Sequence, residues 1–324
     1  MNQLPTVYAV TNPDNVLRAT SSSGGAFSML CIAVLKEGGC ILAPVMEEDG
    51  TVRHQFVEKE DDLRPALGAK YVQSSFSSML EALKERLKSG DKVLFSGTPC
   101  QTAAVKQYLK TDYENLLLVD IICHGVPKAE LWKGYLDALQ SYYKRDIQRV
   151  NFRDRTEGWK NYRFTVELGD RVYSNYPGND FYMTAFLRNY SLMDGCYHCR
   201  HKGENRVSDI TLGDFWGAEK VLPPAEVGKG VTLVISRTEK GQAWLEKFAE
   251  DTLQREIPYE KALNENPSYF NAASCPADRD KFLSRFMKKT FTLQDARNYF
   301  PRSWKQKLHQ VIKNRQFQKR RKVK

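Results

Sequence analysis

The segment Cys196-Tyr-His-Cys199 is followed ten residues later by Asp209-Ile-Thr-Leu-Gly-Asp-Phe-Trp-Gly217. A CxxC pair brings two thiolates to one metal site, because the two intervening residues form a tight turn. Two ligands rarely complete such a site alone. The pattern therefore predicts further ligands elsewhere in the chain.

Two further cysteines are predicted to lie in loops that follow buried strands. Cys100 occurs in Ser96-Gly-Thr-Pro-Cys-Gln101 and Cys123 in Asp120-Ile-Ile-Cys-His-Gly125, each after a short apolar run. Neighbouring Gly and Pro residues are typical of the loop at the end of a strand. Four thiolates from three loops suit either a tetrahedral zinc site or an iron–sulfur cluster, and spacing alone does not separate the two.

The remaining cysteines are predicted to be structural: Cys31 lies on the apolar face of a helix, Cys40 begins a strand and Cys275 is isolated. Seven cysteines without a predicted export signal indicate a reducing compartment rather than a disulfide framework. The longest apolar stretch, Ala26 to Leu35, is too short to span a bilayer. We therefore predict a cytoplasmic protein.

The net charge of +10 is concentrated in residues 302–324, which contain ten basic residues and no acid. The rest of the chain carries 39 basic and 39 acidic residues, which argues against a nucleic-acid-binding body. In this tail, Trp304, Leu308, Val311 and Ile312 recur at helical spacing. Such a helix can lie on an anionic membrane face as a peripheral anchor, dock on an acidic partner or remain solvated. Deletion of residues 302–324 is expected to abolish membrane binding.

Strand and helix signals alternate in residues 1–145 and predict an α/β layer. Within it, Ala19-Thr-Ser-Ser-Ser-Gly-Gly25 joins a short strand to a helix over Ala26–Lys36, and Cys40–Met46 is the next predicted strand. Such a loop places N–H groups at a helix N-terminus, which favours an anion or a phosphate. A solvated helix cap is the simpler alternative.

From about residue 145 the pattern changes to antiparallel strands at residues 148–153 and 162–168. The predicted fold is therefore mixed α/β, or α+β, with an additional antiparallel sheet. Its predicted regions are 1–145 with the Ser/Gly loop and two cysteine loops, 146–300 with the CxxC loop, and the basic tail 301–324.

The order and number of motifs resemble the beta-subunit family of coenzyme F420 hydrogenases and dehydrogenases, which are iron–sulfur flavoproteins. The resemblance extends from about Tyr8 to about Trp244, and each motif is weak alone. The motifs are Ser21-Ser-Ser-Gly-Gly-Ala-Phe27, Gly68-Ala-Lys-Tyr-Val-Gln73, Gly97-Thr-Pro-Cys-Gln101, Cys123-His-Gly125, Phe152-Arg-Asp154 with Gly158-Trp159, Cys196 to Cys199 with Ser208-Asp-Ile-Thr-Leu-Gly-Asp-Phe-Trp-Gly217, and Gly230-Val-Thr-Leu-Val234.

The resemblance implies an oxidoreductase in which FAD lies beside one 4Fe–4S cluster and exchanges hydride with a deazaflavin or similar coenzyme. It implies that Cys100, Cys123, Cys196 and Cys199 ligate the cluster. The residues expected to bind FAD are Ser22, Ser23, Gly24, Gly25, Ala26, Gly68, Lys70, Tyr71 and Gln73. Asp209 and Thr211 are expected to line the pocket, because they closely follow the CxxC loop.

Longer bacterial relatives often begin with a ferredoxin-like module, whereas the first cysteine here is Cys31. The resemblance therefore implies that a separate ferredoxin or another partner supplies single electrons. It also suggests a sugar-linked redox step in surface-polysaccharide biosynthesis. Hydride and electron transfer require no acid or nucleophile from the protein, so no catalytic residue is assigned.

Two other functions remain open. A zinc-stabilised, non-redox assembly or interaction protein of a glycan pathway would use the same four thiolates. A transferase could hold a sugar-nucleotide phosphate in the Ser/Gly loop, but the chain lacks a convincing acidic metal-binding motif.

Overall fold

The structure is a computed structural model that describes residues 5–247, 252–287, 290–301 and 304–322. Strands and helices alternate along the first half of the chain, and short helices dominate after the last strand. The strands are β1 (Thr6–Thr11), β2 (Cys40–Met46), β3 (Val52–Val57), β4 (Val93–Gly97), β5 (Leu116–Ile121), β6 (Ile147–Asp154), β7 (Arg163–Leu168), β8 (Arg171–Asn175), β9 (Ile210–Asp214), β10 (Thr232–Ser236) and β11 (Leu253–Glu256). The α-helices are α1 (Asn15–Thr20), α2 (Ala26–Lys36), α3 (Leu80–Lys88), α4 (Pro99–Leu109), α5 (Ala129–Tyr143), α6 (Phe181–Leu187), α7 (Pro224–Val227), α8 (Glu239–Glu246), α9 (Tyr259–Leu263), α10 (Pro267–Phe270), α11 (Arg279–Phe286), α12 (Leu293–Tyr299) and α13 (Trp304–Lys322).

Eight of these strands form one mixed sheet in the order β11-β1-β10-β9-β5-β4-β2-β3. Strands β2, β4, β5 and β9 are parallel neighbours, and β1 runs in the same direction because β10 is antiparallel to both β1 and β9. The carboxyl ends of β1, β4, β5 and β9 therefore meet at one edge of the sheet. Ligands of open α/β sheets bind at this edge.

The central strands are apolar because helices cover both faces of the sheet. Every residue of β4 is buried, as are the first five residues of β5, and such continuous apolar runs are typical of parallel strands. Helix α2 buries Met29, Leu30 and Val34 on one side of the sheet. On the other side, Leu83 and Val105 of α3 and α4 pack against β4 and β5.

The smaller sheet has the order β6-β7-β8 and packs against α5 and α6. Its core is aromatic: the Trp132 ring lies 5.2 Å from Phe152 and 4.6 Å from Tyr182. Helix α13 contacts β8, and its Phe317 is fully buried. The basic tail is therefore packed on the body over part of its length.

The mixed α/β architecture with an additional antiparallel sheet is confirmed. The helix over Ala26–Lys36 and the strand over Cys40–Met46 have the predicted bounds. Helix α5 was not predicted, although its buried residues Leu131, Tyr135 and Leu139 recur at helical spacing. The large sheet takes β1–β5 from the predicted region 1–145 and β9–β11 from the predicted region 146–300.

Among the described helices, none combines the length and apolar character needed to cross a bilayer.

The loop before α2 approaches two strands closely. A Cβ atom on Gly24 would lie 2.3 Å from the carbonyl oxygen of Val10 and 2.5 Å from the backbone nitrogen of Thr232. Both contacts are to backbone atoms, which cannot rotate away. Glycine is therefore required at this position for the loop to rest on β1 and β10.

We expect Gly24→Ala to lower the free energy of unfolding by about 1–3 kcal/mol, because the added methyl group forces the loop away from the sheet. Gly178→Ala is the matched control, since its Cβ would meet nothing within 4 Å. Urea unfolding of the two variants measures the difference. Equal stabilities would contradict the close approach.

Buried His54 supports the end of β4. Its Nε2 lies 2.9 Å from the carbonyl oxygen of Ser96, and its ring stacks on Phe95 at 5.2 Å. Burial lowers the pKa of His54 from its ordinary value of 6.5 to about 4, and the charge of Lys70 acts in the same direction. The imidazole is therefore neutral in the folded protein at neutral pH.

Because the unfolded chain takes up this proton more readily, the stability that His54 contributes is complete above about pH 6.5 and decreases as the pH falls to about 4. A depression of this size corresponds to about 3 kcal/mol. As the pH falls from about 6.5 to about 4, the unfolding free energy of the wild type should decrease by about that amount relative to that of His54→Gln. A pH-independent difference would show that His54 is not held neutral.

Candidate functional site

The Ser/Gly loop lies at the carboxyl edge of the large sheet, between α1 and the start of α2, and Ala19 and Thr20 of the predicted loop belong to α1. Gly25 has φ +93° and is the N-cap residue of α2. This left-handed conformation favours glycine. It turns the chain directly into the helix, so that residues 21–25 lie beside the starts of α2 and β10.

Arg155, which follows β6, holds this loop in place. Its Nη1 donates to the carbonyl oxygens of Arg18 at 2.7 Å, Ser21 at 2.7 Å and Ser23 at 2.9 Å. Arg18 in turn donates through Nε to the carbonyl oxygen of Gly230 at 3.1 Å. Two guanidinium groups thus connect the loop to the start of β10. The sequence offered no local signal for either arginine.

A cavity of about 250 Å³ opens beside this loop, and we call it the edge cavity. Most of its wall comes from the loops at the carboxyl ends of strands. The main segments that line it are residues 21–23, 25–27, 66–72, 96–98, 121–122 and 212–214.

Lys70 lies in the wall of the edge cavity with its amine enclosed by backbone. Nζ donates to the carbonyl oxygens of Ala66 at 2.9 Å, Leu67 at 3.0 Å and Gly68 at 3.2 Å. Burial lowers the pKa of Lys70 from its ordinary value of 10.5 to about 7. A nearby anion would oppose this shift and favour the ammonium form.

Arg153 is a second cation of the edge cavity, with 6% of its surface exposed. Its Nη1 forms an ion pair with Asp214, and its guanidinium lies 4.4 Å from the centre of the Tyr162 ring. Among the described residues, Nε and Nη2 have no hydrogen-bond partner. Buried donors without partners are rare. Arg153 therefore has two donors available for a ligand.

Cys100 is the second residue of α4, which begins directly after β4, so this cysteine lies in the first turn of a helix rather than in the predicted loop. Pro99 occupies the first helical position, and Gln101 Oε1 accepts from the backbone N–H of Thr98 at 2.9 Å. This capping box begins the helix directly after the strand. The exposed Cys100 sulfur lies 3.1 Å from Thr98 Oγ1.

The CxxC loop is attached to the segment after β5. Cys196 lies in a 3-10 turn over Asp194–His198, and its sulfur accepts from the backbone N–H of Val126 at 3.3 Å. The Met193 N–H donates to the Val126 carbonyl oxygen at 2.8 Å. Cys123 precedes Val126 by three residues, so the loops of Cys123 and Cys196 are held side by side.

Cys100, Cys196 and Cys199 all lie within electrostatic range of Cys123, and we call these four residues the thiol cluster. Burial raises the pKa of the Cys123 thiol to about 12, and the other three cysteines act in the same direction. Within the described ranges, no three His, Cys, Asp or Glu side chains are close enough to hold one metal ion. Of the other cysteines, Cys31 and Cys40 are buried, whereas Cys275 is exposed.

Lys202 is a buried residue of this region that the sequence reasoning missed. It lies three residues after Cys199, and its Nζ donates to the carbonyl oxygens of Cys123 at 2.6 Å and Ser268 at 2.8 Å. The only sequence signal was a lysine near a CxxC pair, which is not specific.

The residues expected to bind FAD are mostly brought together. Those that line the edge cavity are Ser22, Ser23, Gly25, Ala26, Gly68, Lys70 and Tyr71. Gly24 faces the strands, and Gln73 lies outside the lining residues.

Asp209 and Thr211 do not line the edge cavity, and Leu212, Gly213 and Asp214 of the same strand do. Asp209 precedes β9 at the opposite edge of the sheet. There its carboxylate accepts from the backbone N–H of Leu118 at 2.8 Å and from Thr238 Oγ1 at 2.7 Å. Proximity to the CxxC loop in sequence was therefore a poor guide to position.

Comparisons with known proteins identify the family to which this chain belongs. The family model described as the C terminus of the coenzyme F420 hydrogenase/dehydrogenase beta subunit matches residues 90–261. The fold is similar to that of a chain in the F420-reducing NiFe hydrogenase complex from Methanosarcina barkeri. The TM-score is 0.55 at 18% identity, and the match covers 91% of this chain and 95% of that chain. No curated protein matches the sequence significantly. Because the family model spans more than half of the sequence, the chain belongs to the coenzyme F420 hydrogenase/dehydrogenase beta-subunit family.

Proposed function

We propose that this oxidoreductase subunit is an iron–sulfur flavoprotein. It passes electrons between a hydride carrier, a deazaflavin or a similar coenzyme, and a one-electron partner or an organic acceptor. The observation that carries the proposal is the juxtaposition of the edge cavity and the thiol cluster. Ile121 and Ile122 line the cavity, and Cys123 follows them directly.

The four thiols fit an iron–sulfur cluster by donor type, since such clusters are held by four cysteine thiolates. A cluster of four irons separates its ligands more widely than a single ion does. The four thiols lie near one another without converging on one point, and this is compatible with the wider separation of the ligands of a four-iron cluster. The backbone N–H of Val126 would stabilise the Cys196 thiolate, as hydrogen bonds to ligand sulfur do in such sites.

The groups that line the edge cavity suit an anionic, ring-containing cofactor such as FAD. Arg153 has two donors without partners, Lys70 carries a second cationic group, and the Ser/Gly loop leads into the N-terminus of α2. Helix N-termini and cations both stabilise phosphate and other anions. These residues would bind and orient the cofactor, and the apolar pair Ile121 and Ile122 would exclude water beside it.

When bound, FAD supplies hydride chemistry, and an adjacent cluster takes the electrons singly. The protein contributes binding, orientation and electrostatics rather than an acid or a nucleophile. A ferredoxin or another partner protein would exchange the single electrons, in keeping with the complex in which the similar M. barkeri chain occurs. A role in surface-polysaccharide biosynthesis stays a prediction of the sequence resemblance. The zinc-stabilised, non-redox alternative would contain zinc instead of iron and would be colourless.

A second proposal concerns the outer face of α13: we infer that it binds an anionic membrane surface. Phe317 is fully buried, and the Arg163 guanidinium lies 4.7 Å from its ring. The opposite face carries Leu308, Val311 and Ile312 with exposures of 53%, 50% and 48%. Such aliphatic residues on a basic, acid-free helix are typical of interfacial anchors. Residues 302 and 303 and the side chain of Trp304 lie outside the described residues.

The redox proposal predicts that protein purified anaerobically has flavin absorption bands above a broad iron–sulfur absorbance, with about four irons and four sulfides per chain. The Cys196→Ser/Cys199→Ser variant should lose the iron and sulfide, whereas Cys275→Ser should retain both, because Cys275 lies outside the thiol cluster. A colourless protein that contained zinc and took up neither cofactor on reconstitution would support the alternative function.

The membrane proposal predicts that Leu308→Asp/Ile312→Asp weakens partitioning onto anionic phosphatidylglycerol vesicles at least roughly tenfold, since each aliphatic side chain contributes about 1.5–3 kcal/mol when buried. Val16→Asp is the control, because Val16 is also aliphatic and is even more exposed, at 72%, but lies on α1. Deletion of residues 302–324 is a poorer test than the sequence suggested, because it removes Phe317 from the core. The proposal would be contradicted if the wild type bound neutral phosphatidylcholine vesicles as strongly as anionic ones. It would also be contradicted if the wild type bound neither kind of vesicle.

A further inference from the structure

Lys202 is a buried cation beside the thiol cluster, with 9% of its surface exposed. Two of its three N–H groups bind the carbonyl oxygens of Cys123 and Ser268. Burying an ammonium group is costly unless nearby negative charge or hydrogen bonds compensate it. Two carbonyl oxygens provide only part of that compensation.

Neighbouring cations have carboxylate partners, and Lys202 has none among the described residues. Arg206 pairs with Asp120 at 3.1 Å, and Arg279 pairs with Asp194 at 2.6 Å. Lys202 Nζ instead contacts the backbone of Cys123, and Cys123, Cys199 and Cys196 would supply negative charge beside it once they are thiolates that ligate a cluster. The thiol cluster is therefore the natural counter-charge of Lys202.

We propose that the buried positive charge of Lys202 raises the reduction potential of an iron–sulfur cluster held by the thiol cluster. The inference rests on the proposed redox function. Four thiolates give such a cluster a net negative charge, and reduction adds one electron and hence one further negative charge. A buried cation nearby stabilises the reduced form more than the oxidised form, and so raises the potential.

Lys202 also joins two segments of the fold, the Cys123 loop and α10, through its two carbonyl contacts. A structural role could therefore imitate an electrostatic one. Two substitutions separate them. Lys202→Gln removes the charge and keeps an amide that can donate to carbonyl oxygens, whereas Lys202→Arg keeps the charge and changes the geometry.

The matched control for charge is Lys128→Met. Lys128 lies two residues after Val126 and is paired with Asp194 at 3.4 Å. Its substitution removes the same charge from the region as Lys202→Gln does. Because Asp194 already compensates Lys128, we expect little effect on the thiol cluster.

The test is a redox titration of the full-length, anaerobically reconstituted protein, in which electron paramagnetic resonance follows the one-electron reduced cluster. At the midpoint potential of the wild type, Lys202→Gln should lower the ratio of reduced to oxidised cluster at least tenfold. That change corresponds to a shift of 59 mV to lower potential for one electron. Lys202→Arg and Lys128→Met should change the ratio less than threefold.

An unchanged potential in a cluster-containing Lys202→Gln variant would overturn the inference and leave the flavoprotein proposal intact. Loss of the cluster from both Lys202→Gln and Lys202→Arg would also overturn it, because the arginine retains the charge and only the positioning contacts differ. If the wild type itself assembled no iron–sulfur cluster, the proposed function would fail, and this inference with it.

Discussion

The common direction of β1, β4, β5 and β9 is the constraint on which the rest of the site depends. Because these strands point the same way, the loops that follow them open at one edge of the sheet. The Ser/Gly loop, Cys100 and Cys123 are separated by many residues in sequence, yet all three lie at this edge, with Cys100 in the first turn of α4. Reversal of any one strand would place its loop on the far side of the sheet, where Asp209 lies.

Two arginines beside these loops, the half-buried Arg155 and the buried Arg153, have different roles because their partners differ. Arg155 donates to the backbone carbonyl oxygens of Arg18, Ser21 and Ser23, so its role is to hold the backbone of this segment in place. Arg153 pairs with Asp214 and, among the described residues, retains two donors without partners beside the edge cavity. A guanidinium can both fix structure and present donors, because its planar group carries five N–H bonds in a fixed arrangement.

The parts of the site that could be predicted from sequence are those with a local signal. Cys100 and Cys123 follow apolar runs and are flanked by Gly and Pro, so their positions after strands could be inferred without the fold, although Cys100 lies in the first turn of α4 rather than in a loop. Arg155 and Lys202 had no such signal, because their partners lie 132–137 and 66–79 residues away in sequence. In the sequence, each is one of 49 basic residues. Helix α5 is a different case, because its buried residues recur at helical spacing in the sequence and the helix could have been predicted from them.

The edge cavity and the thiol cluster share one short segment of chain, and this connection determines how the two can influence each other. Ile121 and Ile122 line the cavity, and the next residue is Cys123, whose carbonyl oxygen accepts from Lys202. The Ile122 N–H donates to the Leu212 carbonyl oxygen at 2.7 Å, so this segment is fixed to β9. In the proposed function, this segment would hold a flavin and an iron–sulfur cluster at a fixed separation.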